Sequence, residues 1–465
     1  MKRVGGHIIR KRNSTLLLLL WVIAIGLILN IVFYYRTNLI APLTITSYYH
    51  DSYSEKASTE ITWRSILKPC EGKTAWSRRV KDKSKRTNVS LSEFSLTFNG
   101  LSGRAEIVIN TYDSNGEKKQ AGGDSWMIRV NGAASMYVQM RDNNDGSYHT
   151  YFELPEVGTY KVVAILEFSL CDGLRDPPPW WFTNGTQHGK YQTALLNDDD
   201  AYTQETKTLT LDHKHPTKPT GLNTQKHNCE NLNKPGYWKL QNNQFKYVLY
   251  EQEKISSKQP KKYTAFWVYG DSVSAVFSKY VKYTVCSYFE FCHVTYTWLY
   301  PLGIGIPYKS YKHKEFDSKL ILSKLKDLLS KKMMATKRSV FLINIGLHAI
   351  SCLTFKQLTL LFTDIVKMIK TLKKTQELPQ IIWKNTTPSF RNVNKETLRF
   401  LTKHRIMLWN AFVKEVACKE GIPVLNVHDI GAAYPNGTLD GIHFKNGTFE
   451  SAAQSLVNHL VKGFN

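Results

Sequence analysis

Acidic side chains are scarce in this chain of 465 residues: 38 Asp and Glu stand against 62 Lys and Arg, a formal net charge of +24. That deficit excludes an acidic, solvating protein and points to polyanionic partners, whether nucleic acid, anionic lipid or acidic glycan. Cysteine is sparse as well. Seven over this length are too few for a miniprotein built on disulfides, and the odd number leaves at least one thiol unpaired within the chain. No His/Cys cluster has zinc-ligand spacing, and no glycine loop of the Walker or Rossmann kind occurs, so the motifs call for neither a metal nor a bound nucleotide cofactor. Apolar residues are not lacking. A 42% hydrophobic and 12% aromatic content excludes wholesale disorder, and the length allows about three domains.

Long uncharged runs are rare, with one exception. Residues 1–15 form a basic tail with Lys2, Arg3, Arg10, Lys11 and Arg12, and residues 16–35 then carry no charge. Such a run, at about 1.5 Å per residue, matches the roughly 30 Å hydrocarbon core of a bilayer. Basic residues on its N-terminal side predict a cytosolic tail and a transmembrane signal anchor, with everything after Arg36 lumenal. That describes a single-pass type II membrane protein of the Golgi or secretory lumen. The run is longer than a signal-peptide h-region and lacks a small-x-small site behind it; cleavage there would instead give a secreted chain. Either route removes nucleic acid from the partners. Asn88, Asn184, Asn385, Asn436 and Asn446 head glycosylation sequons. An oxidising lumen permits disulfides: Cys70 and Cys171 would bracket the first folded region, while Cys286 and Cys292 suit either a local bridge or two buried thiols.

Residues 36–69 show no sustained period and read as a stem. Residues 70–175 change to short strands, at 105–109, 126–130 and 160–168, between turn signals such as Asp113-Ser114-Asn115-Gly116 and Asn131-Gly132. That spacing predicts an all-β sandwich of the immunoglobulin class. The acidic stretch Asp142-Asn143-Asn144-Asp145-Gly146 lacks the bidentate Glu of a calcium loop and reads as a hairpin turn. Residues 176–261 keep no period and read as a loop-rich connector. Over 262–465 strands at 263–269, 339–345, 380–383 and 424–427 alternate with helical periods over 273–281, 315–334, 358–372 and 449–461. The alternation predicts an α/β three-layer domain, a parallel sheet with helices on both faces and its ligand at the carboxyl ends of the strands. This module holds 29 Lys and Arg against 13 Asp and Glu from Lys261 onwards, most of the chain's excess charge.

Two loops of that module carry chemistry. Gly270-Asp271-Ser272 follows strand 263–269, and a hydroxyl there sits at a helix N-terminus, where the dipole favours developing negative charge. Asp440-Gly441-Ile442-His443 precedes the last helix and presents a carboxylate and an imidazole three residues apart. Nucleophile, base and orienter are the parts of acyl transfer. His428-Asp429 follows strand 424–427 and reads as a turn or as a second contribution to the site. His293, His313 and His404 stand alone and read as structural or exposed.

The GDS and DxxH motifs, in that order at opposite ends of one α/β module, resemble the SGNH/GDSL hydrolase superfamily in its PC-esterase branch. With Gly122-Gly123-Asp124 and Asp142 to Tyr148 in a filamin-like immunoglobulin module, and with the anchor, the chain resembles the neurexophilin and PC-esterase (NXPE) family over roughly residues 90–190 and 262–465. The resemblance implies a flavodoxin-like sheet, Ser272 as nucleophile, His443 as base and Asp440 as its orienter. It implies an oxyanion hole built from the Ser272 amide, a glycine (Gly303 or Gly305) and the Gly346-Leu347-His348 loop, with His348 where SGNH enzymes carry Asn. The implied function is a lumenal glycan O-acetyltransferase or acetylesterase with no bound cofactor. Acetyl-CoA or another acetyl donor would be its co-substrate, and acidic glycans or glycoproteins, sialic acid among them, its substrates. The alternative is a catalytically inactive, neurexophilin-like secreted or cell-surface binding protein.

Overall fold

The computed structural model describes residues 61–80, 82–178, 202–216, 232–250, 263–296, 317–390 and 399–463. The basic tail and the anchor segment 16–35 lie outside the described residues. Among the described residues no helix is long and apolar enough to cross a membrane.

A one-turn helix α1 (Trp63–Leu67), capped by the Thr62 hydroxyl, leads to Cys70. Eight strands then build a β-sandwich. One sheet has the antiparallel order β1-β2-β6-β5 and the other β4-β3-β7-β8. They are β1 (Glu93–Asn99), β2 (Arg104–Asn110), β3 (Ser125–Gly132), β4 (Met136–Gln139), β5 (Arg141–Asp142), β6 (Ser147–Glu153), β7 (Gly158–Phe168) and β8 (Tyr202–His213). Alternation puts Ile107 and Ile109 of the first sheet against Ile128, Val162 and Ala164 of the second in one shared core. The Asp142–Gly146 stretch is a hairpin turn, with Asn144 and Gly146 at positive φ and the Asn144 N–H donating to Asp142 Oδ1. Strand β8 falls in the stretch where no period persists. Only Leu209, Leu211 and His213 alternate into the core there, too short a pattern to stand out among the polar residues around it. A separate hairpin, β9 (Gly236–Gln241) and β10 (Gln244–Leu249), turns on Asn242 and Asn243, both at positive φ as a type I′ turn requires.

The Cys70–Cys171 disulfide ties the entry of the sandwich to its seventh strand's exit across 101 residues. Closing so long a loop restricts the unfolded chain strongly, so Cys70→Ser is expected to cost about 2–5 kcal/mol, read as a lower urea midpoint at unchanged slope. Cys286 and Cys292 are bonded to each other, Cys418 is also disulfide-bonded, and Cys352 is a buried free thiol.

The second module is a five-stranded parallel sheet in the order β12-β11-β13-β14-β15. Its strands are β11 (Tyr263–Gly270), β12 (Phe289–Tyr296), β13 (Val340–Ile343), β14 (Gln380–Lys384) and β15 (Val424–Leu425). Counted within the module this is 2-1-3-4-5, the flavodoxin-like doubly wound order, whose switch point lies between its first and third strands. The helices are α2 (Ser272–Thr284), α3 (Ser318–Leu329), α4 (Leu347–Cys352), α5 (Phe355–Leu372), α6 (Lys403–Lys419), α7 (His428–Ala433) and α8 (Glu450–Gly463). One apolar layer packs Trp267, Phe341 and Trp383 under α3, α5 and α6; the other packs Phe266, Leu342 and Ile382 under α2 and α8. Both faces are covered, which is why the strands read as unbroken apolar runs. The run expected over 339–345 ends as a strand at Ile343; the Asn344 N–H still donates to the Tyr269 carbonyl at 2.9 Å, and its side chain donates to the Lys384 carbonyl at 2.8 Å.

The two modules meet through a buried arginine. Arg405 of α6 donates to the Arg175 carbonyl and to Asp176 just past the sandwich, and also to the Ile350 and Leu353 carbonyls at the end of α4.

Candidate active site

The switch point lies between β11 and β13, the place at the carboxyl edge of the sheet where this strand order gathers its ligands. Gly270 ends β11 where a Cβ would strike the Ser274 hydroxyl. Asp271 caps α2, its Oδ1 accepting from the Val273 and Ser274 N–H groups at 3.1 and 3.2 Å. The cap puts Ser272 at the first helical position, half-buried, with an N–H for which the helix itself supplies no partner.

His443 arrives from the loop before α8. Its Nε2 lies 2.8 Å from Ser272 Oγ, and its Nδ1 lies 2.8 Å from Asp440 Oδ2. A carboxylate only accepts, so Nδ1 carries the proton and Nε2 is left to accept from the serine hydroxyl. The other oxygen of Asp440 accepts from the backbone N–H groups of Ile442 and His443 at 3.0 and 2.8 Å, which folds the loop around its own acid. Burial alone would raise the Asp440 pKa. The His443 backbone N–H, the His443 ring and the Ile442 N–H outweigh it and hold the carboxyl down to about 2. The side chains of His443 and Asp440 are 33% and 39% exposed, so the relay opens to solvent and to substrate.

His348 lies on α4, after β13. Burial lowers its pKa, the Asp271 carboxylate opposes that, and His443 adds to it, so a neutral imidazole stands within electrostatic reach of both motifs. Gly346 precedes it in a backbone conformation that leaves no room for a Cβ, which would strike the Thr386 hydroxyl and approach Asn344. Gly303 and Gly305 lie outside the described residues.

Other singled-out residues are placed elsewhere. His428 does pair with Asp429, Nδ1 to Oδ1 at 3.1 Å, but its ring stands edge-on to Tyr137 of β4 in the seam with the sandwich. His293 packs on Trp267 with ring centroids 4.3 Å apart, and burial pushes His404 down to about 4; His313 lies outside the described residues. Asn436 and Asn446 are exposed, Asn88 is half-buried, and Asn184 lies outside the described residues. Asn385 is a correction. It is buried, its amide donates to Asn426 Oδ1, and its Oδ1 accepts from the Val427 and His428 N–H groups, so it cannot carry a glycan in the folded chain. A sequon triplet contains no signal of burial.

Sequence reading missed Asn344, Lys384 and Thr386, which stand at the carboxyl ends of β13 and β14. A signal was present: Lys384 breaks an otherwise apolar strand at its carboxyl end, where ligands gather.

No protein-family model matches the chain, and no curated protein matches it. Among solved structures it is similar to a GDSL-like lipase from Bacteroides thetaiotaomicron, at 12% identity and a TM-score of 0.30, over 43% of this chain and 88% of that one. It is similar to an aryl esterase from M. smegmatis, at 12% identity and a TM-score of 0.32, over 43% of this chain and all of that one (100%). A carbohydrate acetylesterase family member from Sinorhizobium meliloti matches at 12% identity and a TM-score of 0.30, over 43% of this chain and 99% of that one. Likeness at TM-scores of this size carries no weight for the chemistry; sheet order and side-chain geometry carry it.

Proposed function

We propose that the α/β module is a serine-dependent esterase or O-acyltransferase, and that the observation carrying this is the continuous Ser272–His443–Asp440 relay. Ser272 Oγ attacks an acyl carbonyl as His443 Nε2 takes its proton. The imidazolium, oriented by Asp440, returns that proton to the leaving oxygen of an ester donor, or to the leaving sulfur of a thioester donor, and the acyl group stays on Ser272 as an ester. A second hydroxyl, from a sugar or from water, gives its proton to His443 and accepts the acyl group, and His443 passes that proton to Ser272 Oγ as the ester bond breaks. The Ser272 N–H, the Gly346 loop and His348 are the donors this reading assigns to the oxyanion.

The finer reading is a lumenal, membrane-anchored glycan O-acetyltransferase or acetylesterase of the NXPE type. Its support is the anchor-like segment 16–35, the basic charge of the module, and an immunoglobulin-like assignment for the sandwich. Sheet orders β1-β2-β6-β5 and β4-β3-β7-β8 correspond to A-B-E-D and C′-C-F-G of that class. The Tyr160 hydroxyl, near the start of the F-equivalent strand, donates to the Glu156 carbonyl at 2.7 Å, as a tyrosine corner does. The alternative of an inactive binding protein would be favoured by the three groups standing out of mutual reach, whereas they stand within hydrogen-bond distance.

The test is to incubate the purified lumenal part with acetyl-CoA and sialylated glycans, and separately with O-acetylated glycans. A mass gain of one acetyl group marks a transferase and loss of one marks an esterase. Absence of both, together with no hydrolysis of p-nitrophenyl acetate, would overturn the reading.

A further inference from the structure

The chain that leaves β13 passes directly beside the nucleophile turn. The Asn344 N–H donates to the Tyr269 carbonyl at 2.9 Å, and the Asn344 carbonyl lies 3.4 Å from the place a Cβ on Gly270 would occupy. Two residues on, Gly346 leads into α4, which carries His348. That helix has six residues and cannot satisfy its own end, because its last carbonyls have no intrahelical donor. Its placement therefore depends on groups supplied from outside.

Helix α6 supplies them. Arg405 and Trp409, four apart, share one face of it, and Asn410 follows on the adjoining flank. Trp409 Nε1–H donates to the Ile345 carbonyl, just before Gly346, at 3.1 Å. Asn410 grips Thr386, two residues past β14, with both ends of its amide. Its Oδ1 accepts from the Thr386 N–H at 2.9 Å, and its Nδ2 donates to the Thr386 carbonyl at 2.8 Å. The Thr386 hydroxyl is the atom a Cβ at Gly346 would strike, so fixing Thr386 walls the Gly346 turn from its other side. Arg405 closes the far end. Its Nη2 donates to the Ile350 and Leu353 carbonyls at 3.1 and 2.6 Å, a side-chain cap on the C-terminus of α4. Its Nη1 donates to the Arg175 carbonyl and to Asp176 Oδ1 at 2.6 and 2.8 Å, in the segment just past the sandwich. That same carboxylate oxygen accepts from the N–H of Phe355, the first residue of α5.

Resting on the esterase reading, we infer that Arg405 is a positioning residue of the reaction: with Trp409 and Asn410 it brackets residues 344–353 against the Ser272 turn, and through Asp176 it makes the sandwich part of that bracket. A guanidinium suits the role because its planar fork reaches four acceptors at fixed angles, which an ammonium cannot do. A shift of about 1 Å in the backbone it holds moves the oxyanion donors off their target. An oxyanion forms only in the transition state, so the loss falls on the chemical step rather than on binding.

The experiment follows labelling of Ser272 on the full chain by a fluorophosphonate probe, read by intact mass. Varying the probe concentration separates the maximal rate kinact from the half-saturating concentration KI. Arg405→Met and Asn410→Ala are each expected to lower kinact by about 100-fold, the cost of a misplacement of about 1 Å, with KI unchanged. Asp176→Ala is expected to lower it by about tenfold, since Arg405 keeps its three carbonyl partners. Glu167→Gln is the control. It breaks another charged contact between the modules, the Lys403–Glu167 pair, and is expected to lower the melting temperature without lowering kinact. A wild-type kinact in either Asn410→Ala or Asp176→Ala, a change confined to KI, or an equal fall in Glu167→Gln overturns the inference. Failure of Arg405→Met to fold leaves the test on Asn410→Ala and Asp176→Ala, which remove no buried cation. No labelling of the wild type would instead count against the esterase reading, and deuterium exchange then tests Arg405 by itself. Peptides covering residues 344–353 should exchange faster in Arg405→Met and Asp176→Ala than in the wild type, and at the wild-type rate in Glu167→Gln. Unchanged protection of that segment in Asp176→Ala overturns the inference.

Discussion

Ser272→Ala is expected to lower acyl turnover by roughly 10⁴-fold or more while leaving the fold intact. The loss is large because the covalent route disappears: among the described residues no other hydroxyl lies against His443 Nε2, whose bond to Ser272 Oγ is 2.8 Å. The fold is spared because the change removes one oxygen at a half-buried position and leaves the α2 cap on Asp271 untouched. His443, one-third exposed, finds water in place of the hydroxyl, so the stability cost stays at or below about 1 kcal/mol. Turnover within tenfold of the wild type, measured beside an unchanged melting temperature, would remove Ser272 as the nucleophile.

Asp440→Asn is expected to lower kcat by about 10²–10⁴-fold with little change in KM. The amide oxygen can still accept from the Ile442 and His443 N–H groups, so the loop keeps its shape. Its NH₂ then faces His443 Nδ1 and forces that nitrogen to accept. The ring proton moves to Nε2, which can no longer take a proton from Ser272. The lower end of the range reflects the 39% exposure of Asp440, which lets water supply part of the orientation. Because the carboxyl is held down to about 2, the wild-type acid keeps its charge at every pH above about 3, and any loss of rate above that pH arises elsewhere. An Asp440→Asn variant with wild-type kcat would leave Asp440 as a loop former alone.

The order of the chemistry is legible in the chain itself. Gly270-Asp271-Ser272 stands after an apolar run and Asp440-Gly441-Ile442-His443 before the last helical period, because a parallel sheet presents its loops at the carboxyl edge. Strands 105–109, 126–130 and 160–168 are legible for a different reason: alternation over several residues survives as a period of two. Strand β8 is not, since its inward residues are few, and Asn385 is misjudged because a sequon is a local word while burial is a property of neighbours far along the chain. Lys384 escapes notice in the same way; one cation among 62 Lys and Arg has no distinction until its surroundings are known.

Sequence alone determined which residue types were available and on which loops: a hydroxyl after one buried strand, an acid and an imidazole before the final helix, and sulfur enough for a few bridges. Tertiary structure decided that Nε2 of His443 meets Oγ of Ser272 across 171 residues, that Asn385 is locked inside, and that Lys384 is buried at the end of its strand. Local patterning acts through contacts a few residues apart, which a sequence displays. Hydrogen bonds and buried charges act through space, and their partners are set by the order in which strands pair.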